Sequence, residues 1–315
     1  MKISVLDSLT LGQDLDLSPL NEFGEVLIYP STNKEETPAH CKDSEILVIN
    51  KVKINETTLP DSGKVKLICE FATGYDNIDL EYCKKHNIAL CNVVGYSTDS
   101  VAQLTCALVL TLACRISEFS EYVKSGEYQK SGVANWLNPV YSELFGKTWG
   151  IVGLGNIGKR VAKVAEGLGC KVIVNKRTPS QEYENADINT LCKEADIISI
   201  HTPLTDETRN LINKERIAMM KKNAILVNVA RGAVTDEIAV AEAIKEGKIG
   251  AFGSDVFSVE PFGENHPFTE IMHLPNVCLT PHMAWGAYEA RERCLDEICK
   301  NIRSFNAGER RNRIV

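Results

Sequence analysis

The chain has no apolar stretch of about 18 residues or more, the length that a membrane-spanning helix needs. Its first residues, MKISVLDSLT, hold no apolar run of signal-peptide length. It also lacks a basic surplus. Against 42 Asp and Glu stand 35 Lys and Arg, for a formal net charge of −7. Nucleic acid is therefore disfavoured as a partner, although one or two local cations suffice for a small anionic substrate. Paired CxxC spacing is missing too. The 11 cysteines are scattered from Cys41 to Cys299 without metal-ligand clustering. They read as small apolar side chains kept reduced in a cytoplasm rather than as a disulfide framework or a metal site. No short-period repeat or low-complexity linker breaks the chain. These absences predict a soluble cytoplasmic protein. What is there is ordinary globular material: 315 residues, 44% hydrophobic and 24% charged. That is enough for two domains, each with a substantial core.

Short apolar runs alternate with polar helical stretches along the first hundred residues. Residues 46–49, 65–69 and 88–91 read as buried strands, and Asp79 to His86 as a helix. A long helix is predicted from Ser100 to about Ser125, because Val101, Leu104, Ala107, Leu108, Thr111 and Leu112 keep helical spacing. Asp99 is its expected N-cap. A polar, irregular segment follows to about Leu144. A second alternation then begins at Lys147, with strands predicted at 148–152, 171–175, 196–200, 224–229, 250–254 and 277–280. The final stretch, Ala287 to Ala307, reads as an amphipathic helix ending near Gly308.

The strand at 148–152 runs directly into Gly153-Leu154-Gly155-Asn156-Ile157-Gly158, and a helical pattern follows with Val161, Ala162, Val164 and Ala165 on its inner face. Gly153 permits a tight turn, Gly155 lets the backbone approach a pyrophosphate, and Gly158 lets helix and strand pack closely. The helix N-terminus adds free N–H groups and partial positive charge. A bare GxGxxG is weak evidence; set between this strand and this helix it predicts dinucleotide binding. The next strand ends in Asn175-Lys176-Arg177-Thr178, where an NAD site usually carries an acid for the ribose hydroxyls. Lys and Arg would pair with a 2′-phosphate instead, so the expected cofactor is NADP, with NAD as the alternative. A solvated basic turn is the bland reading of the same residues.

Three later motifs carry reactive side chains: Asn228-Val229-Ala230-Arg231-Gly232, Asp255 to Glu260-Pro261, and Thr280-Pro281-His282. Each follows an apolar strand, and in an open α/β sheet the carboxyl ends of strands face the ligand. Taken singly, a His after a strand is usually structural, an Arg usually a surface charge, and Glu-Pro usually a turn. Together with Ala72 to Asp79, Asn92 to Gln103 and the glycine loop, they make the chain resemble the D-2-hydroxyacid dehydrogenases, which include glycerate dehydrogenases and hydroxypyruvate reductases.

The resemblance implies that Arg231, Glu260 and His282 are catalytic. The chemistry agrees. A guanidinium can bind the carboxylate of a 2-oxo acid and polarise its carbonyl, and His282 can donate the proton as hydride reaches carbon. Glu260 on the ring would favour the charged form and hold its orientation. The resemblance further implies that Thr73 and Gly74 hold the substrate carboxylate through their backbone, with Lys51 adding charge and Trp285 closing the pocket wall. Asp255, Val229 and Ala230 would meet the nicotinamide. His201-Thr202-Pro203 and Thr208 would flank the adenosine. Lys51, Trp285 and His201 have equally good structural readings, as an exposed lysine, a core tryptophan and a core histidine.

The expected fold is α/β, with two doubly wound parallel-sheet domains and a cleft between them. A Rossmann-type cofactor domain, residues 100–282, is inserted into a flavodoxin-like substrate domain, residues 1–99 and 283–315. The family's dimer interface maps to the helix after Asp99 and the irregular segment before Lys147, so a homodimer is expected. The expected reaction is reduction of a small 2-oxo acid such as hydroxypyruvate or glyoxylate. A bulkier 2-oxo acid is one alternative. A cofactor-sensing binding protein of the C-terminal-binding-protein corepressor type is another; the absence of long disordered extensions argues against it.

Overall fold

The structure, a computed structural model, describes residues 1–315. The chain divides into two compact units, Met1–Ser97 with Gly286–Val315, and Thr98–Trp285.

In the first unit, strands β1 (Lys2–Val5), β2 (Glu25–Ile28), β3 (Ile46–Ile49), β4 (Leu67–Glu70) and β5 (Ala89–Cys91) form one parallel sheet in the order β2-β1-β3-β4-β5. This is the flavodoxin-like order. Every residue of β3 and β4 is buried, as expected for central parallel strands covered on both faces. Two strands have no counterpart in the sequence reading. The first, β1, is short, and β2 lies at the sheet edge with exposed ends, so neither carries a long apolar run. The opposite edge is covered. Arg313 bridges antiparallel to Cys91, and the Ile314 amide donates to Leu90 at 2.8 Å, so the C-terminal tail closes β5 against stray pairing.

The second unit holds β6 (Thr148–Val152), β7 (Lys171–Asn175), β8 (Glu184–Asn185), β9 (Ile197–Ile200), β10 (Ile225–Asn228), β11 (Ala251–Ser254) and β12 (Val277–Leu279). Their order is β12-β11-β10-β9-β6-β7-β8, all parallel. Counted from β6, this is the doubly wound Rossmann order with one strand added. Residues alternate between two cores along each strand. Trp149 and Ile151 enter one with Ile197 and Val227; Val152, Ile198, Ile200 and Leu226 enter the other. Side chains this deeply buried stabilise the sheet by about 1.5–3 kcal/mol each relative to exposure. Aspartates cap the short helices around it. Asp187 accepts from the amides of Asn189 and Thr190, and Asp236 from that of Ala239.

The long helix expected from Ser100 to Ser125 is in fact two, Thr98–Ala113 and Ile116–Lys124, bent by 63°. Arg115 between them is left-handed, at φ +55. Asp99 therefore lies inside the first turn and is not the cap. Residues 98–99 and 283–285, read from the sequence with the first unit, pack with the second. The reason is local: Ser100 Oγ donates to the Ala284 carbonyl at 2.5 Å, and the amides of Met283 and Ala284 bind Asp255. The 11 thiols are all free, and all but Cys114 and Cys278 are buried. No single helix is long and apolar enough to cross a membrane.

The C-terminal helix, Tyr288–Asn306, is tied to the start of the chain through Arg291. Its guanidinium donates to the Leu11 carbonyl at 2.9 Å, to the Gly286 carbonyl at 2.9 Å, and to both Asp14 oxygens at 2.7 and 2.8 Å. Arg291→Ala strands those carbonyls and should cost about 1–3 kcal/mol, read as a lower urea midpoint. An unchanged midpoint would show that the tie does not stabilise the unit.

Candidate active site

The strand register of the second unit brings the candidate residues to one edge. Asn175, Val152, Ile200, Asn228, Ser254 and Leu279 are successive Cα partners across β7, β6, β9, β10, β11 and β12. One residue beyond this row come Lys176, Gly153, His201, Val229, Asp255 and Thr280. Segments far apart in sequence thus present their next residues side by side, at the carboxyl edge of a parallel sheet.

The His282 ring meets Glu260 there, Nδ1 to Oε2 at 2.5 Å. Both side chains remain part-exposed, at 22% and 30%. The other oxygen of Glu260 accepts from the Phe257 amide at 2.9 Å, which turns the carboxylate toward the ring. His282 itself is left-handed, at φ +53, a conformation costing a non-glycine residue about 1–2 kcal/mol. Asp255 holds the loop in that shape. Its carboxylate accepts from Thr280 Oγ1 at 2.6 Å and from the amides of Met283 and Ala284 at 2.9 and 2.8 Å. Asp255 is wholly buried. Burial pushes its carboxyl up, while those three donors and His282 pull it down. Expected at the nicotinamide, Asp255 is engaged on both oxygens by the His282 loop, which leaves one lone pair, on Oδ2, for any amide contact.

Arg231 stands at the end of β10, where Asn228 shapes its turn. Asn228 Nδ2 donates to the Arg231 carbonyl at 2.9 Å and its Oδ1 accepts from the Ala230 amide at 3.0 Å. Gly232 then lies directly on the Glu260 segment: a Cβ there would stand 2.0 Å from the Phe257 carbonyl carbon. Asn228, Gly232 and Thr280 shape the backbone around the candidate residues. The motifs contained all three, but which contact each would make was not readable from them.

On the other side of the sheet centre, Gly153 is at φ +95, and a Cβ on Gly158 would meet the Gly153 carbonyl oxygen at 2.1 Å. Nothing lies within 4 Å of where a Gly155 Cβ would be. The helix Asn156–Gly167 starts immediately after it, and the first amides of a helix have no intrahelical partner.

Residues 106–284 match the family model for D-isomer specific 2-hydroxyacid dehydrogenase, NAD binding domain. The chain belongs to the D-isomer specific 2-hydroxyacid dehydrogenase family. A glyoxylate reductase of Thermococcus litoralis is 43% identical to it over 265 residues, 82% of this chain and 78% of that one. A glycerate dehydrogenase of Methylorubrum extorquens is 35% identical over 313 residues, 99% of this chain and 98% of its own. Among solved structures, an acyclic imino acid reductase in complex with NADPH and D-Arg superposes with a TM-score of 0.87 at 30% identity, each chain covered in full. The protein is an NAD(P)-dependent dehydrogenase.

The edge of this dehydrogenase fits a dinucleotide. Besides the glycine cradle, it holds an orphaned polar atom, His201 Nδ1. Trp149 Nε1 donates to Ser199 Oγ at 2.9 Å, and Ser199 Oγ lies 2.9 Å from His201 Nε2. Trp149 Nε1 is itself a donor, so Nε2 is the acceptor left for the buried Ser199 hydroxyl proton; the ring proton then sits on Nδ1 and lacks an acceptor. Lys176 and Arg177 are exposed and take part in no ion pair, as is Thr178. The Leu154 side chain is buried in the core, leaving only its backbone to the loop. Thr208 uses its hydroxyl inside its own turn, on the Pro203 carbonyl at 2.7 Å.

The expected substrate residues of the first unit have defined surroundings. Lys51 is exposed, and its amide donates to Asp7 at 2.6 Å. Thr73 gives its hydroxyl to the Val93 carbonyl at 2.7 Å, and its own carbonyl accepts from Asn92 Nδ2 at 2.7 Å. Gly74 is half-buried beside it. Trp285 is half-buried against a core of the second unit.

Burial holds the His201 ring neutral, lowering its pKa from 6.5 to about 3. Between those values the unfolded chain binds a proton that the folded chain refuses, so stability falls as pH drops below about 6.5 and levels off near 3. The acid limb of a plot of Tm against pH should be shallower for His201→Gln. Identical limbs would overturn the buried, neutral assignment.

Proposed function

We propose that this dehydrogenase reduces a small 2-oxo acid, hydroxypyruvate or glyoxylate, at the expense of NADPH. The observation that carries the reading is the 2.5 Å contact of His282 Nδ1 with Glu260 at the same sheet edge as Arg231. With Nδ1 donating to the carboxylate, Nε2 is the nitrogen left to serve substrate. Protonated, it gives its proton to the carbonyl oxygen; neutral, it takes one from the hydroxyl in the reverse direction. Arg231 binds the substrate carboxylate and polarises the carbonyl. A bound reduced nicotinamide supplies the hydride. Lys51, the backbone of Thr73 and Gly74, and Trp285 are the further substrate residues that the family resemblance implies. The glycine loop 153–158, His201, Thr202, Pro203, Thr208, Val229, Ala230 and Asp255 form the cofactor set. The unit of residues 98–285 is accordingly the cofactor domain, and the other the substrate domain.

Preference for NADP rests on Lys176 and Arg177, two unpaired cations where an acid would repel a 2′-phosphate. The names of the relatives, glyoxylate reductase and glycerate dehydrogenase, support a two- or three-carbon acid. Rates of NADPH and NADH oxidation against a panel of 2-oxo acids test both points. NADPH should give the higher kcat/KM, and Lys176→Asp with Arg177→Ala should reduce that preference about ten- to a hundredfold. A wild-type preference for NADH sinks the cofactor reading; faster turnover of a branched or aromatic acid sinks the substrate reading. His282→Ala should lower kcat about 10²- to 10⁴-fold with NADPH affinity nearly unchanged, and full turnover would remove the acid–base assignment.

The protein is further read as a cytoplasmic homodimer. Free thiols throughout suit a reducing compartment. Between residues 116 and 145 the surface exposes Ile116, Val123, Leu137, Val140 and Phe145, with Val140 82% and Phe145 76% exposed. Large apolar side chains this exposed within one segment are suited to a covering surface. Light scattering should return twice the chain mass, and Val140→Asp with Phe145→Asp should halve it. A monomeric wild type contradicts the dimer.

A further inference from the structure

We propose that Glu237 and His266 form a buried clamp that positions the catalytic Glu260, so that Glu237 is a positioning residue for the dehydrogenase reaction. The clamp lies in the second unit, behind the Glu260 segment. Glu237 opens the helix Glu237–Lys245, six residues after Arg231, and its side chain is only 8% exposed. One carboxylate oxygen accepts from the Ser258 amide at 2.8 Å. The other accepts from the Ser258 hydroxyl and faces His266 Nε2 at 3.0 Å.

The tautomer of His266 is decided by its surroundings. The Phe268 amide donates to Nδ1 at 3.2 Å, so the ring proton is on Nε2 and points at Glu237. Phe257, Phe262 and Phe268 wall the ring, with centroids 6.1, 4.8 and 5.0 Å away. A carboxylate in such a place is costly unless every donor is aimed at it. An apolar side chain would fill the space at less cost. What the carboxylate does that an apolar group cannot is hold Ser258 by both its amide and its hydroxyl.

Ser258 is the hinge between the two fixed points of Glu260. The residue before it, Phe257, gives its amide to Glu260, and two residues after it Glu260 reaches His282. Gly232 presses on the Phe257–Ser258 peptide from beneath. The stretch from Arg231 to Glu237 therefore delivers one catalytic residue and fixes the segment that carries another. Loosening the clamp lets Glu260 drift from the imidazole while the cofactor cradle at 153–158 stays as it was.

The inference rests on the catalytic reading of Glu260, and a double-mutant cycle separates the two. Turnover is measured with NADPH and the 2-oxo acid reduced fastest in the panel, for wild type, Glu237→Gln, Glu260→Gln and the double variant. Glu237→Gln should lower kcat tenfold or more, with KM and the dissociation constant for NADPH within about threefold of wild type. Added to Glu260→Gln it should change kcat less than twofold, because it acts only through Glu260. His266→Gln, whose amide can donate from the same position, should keep kcat within about threefold, whereas His266→Leu should match Glu237→Gln. If Glu237→Gln does not fold, this pair carries the comparison. A kcat for Glu237→Gln within twofold of wild type overturns the clamp, as does a loss that multiplies in full with that of Glu260→Gln. An unimpaired Glu260→Gln overturns the catalytic reading and the clamp together.

Discussion

The contact between His282 and Glu260 requires three stretches of chain to arrive at one sheet edge and stay there. A carboxylate acts on an imidazole through geometry: at hydrogen-bond distance it selects one tautomer and one ring orientation. The parallel register delivers the three stretches, since Asn228, Ser254 and Leu279 are Cα partners and each active loop departs from that row. Fixing the loops falls to buried polar groups: Asn228 for the turn before Arg231, Asp255 for the left-handed turn at His282, and Glu237 for the segment before Glu260.

Buried carboxylates are therefore not incidental here. Each is taken out of water at a cost, offset by donors that have no other partner. Asp255 collects a hydroxyl and two amides, and Glu237 a hydroxyl, an amide and a ring N–H. Glu70 Oε1 and His201 Nδ1 depart from that pattern. His201 Nδ1 has no partner inside the protein although Nε2 of the same ring is satisfied by Ser199. The unmet His201 Nδ1 lies beside the glycine loop, where the proposed cofactor would supply its partner.

The sheets themselves were readable in outline. Continuous apolar runs such as Ile46–Ile49 announce central parallel strands, because both faces are buried and no alternation is needed. Strands such as Glu25–Ile28, with half their residues in water, leave no such trace. The single long helix expected after Asp99 failed for a similar reason. Its apolar spacing continues past Ala113, and the bend comes from the left-handed backbone of Arg115, which periodicity does not record.

By itself the sequence determined the family and the glycine cradle, and it marked Arg231, Glu260 and His282 as the candidate catalytic residues, because each is a matter of residue type at fixed local spacing. Tertiary structure alone decided what holds them. Asp255 holds the backbone of the His282 loop, and Glu237 is buried against Ser258 and His266. These roles depend on which donors lie across space from a carboxylate. Donors 21 and 29 residues away in the chain, such as Ser258 and His266 for Glu237, leave no local pattern to read.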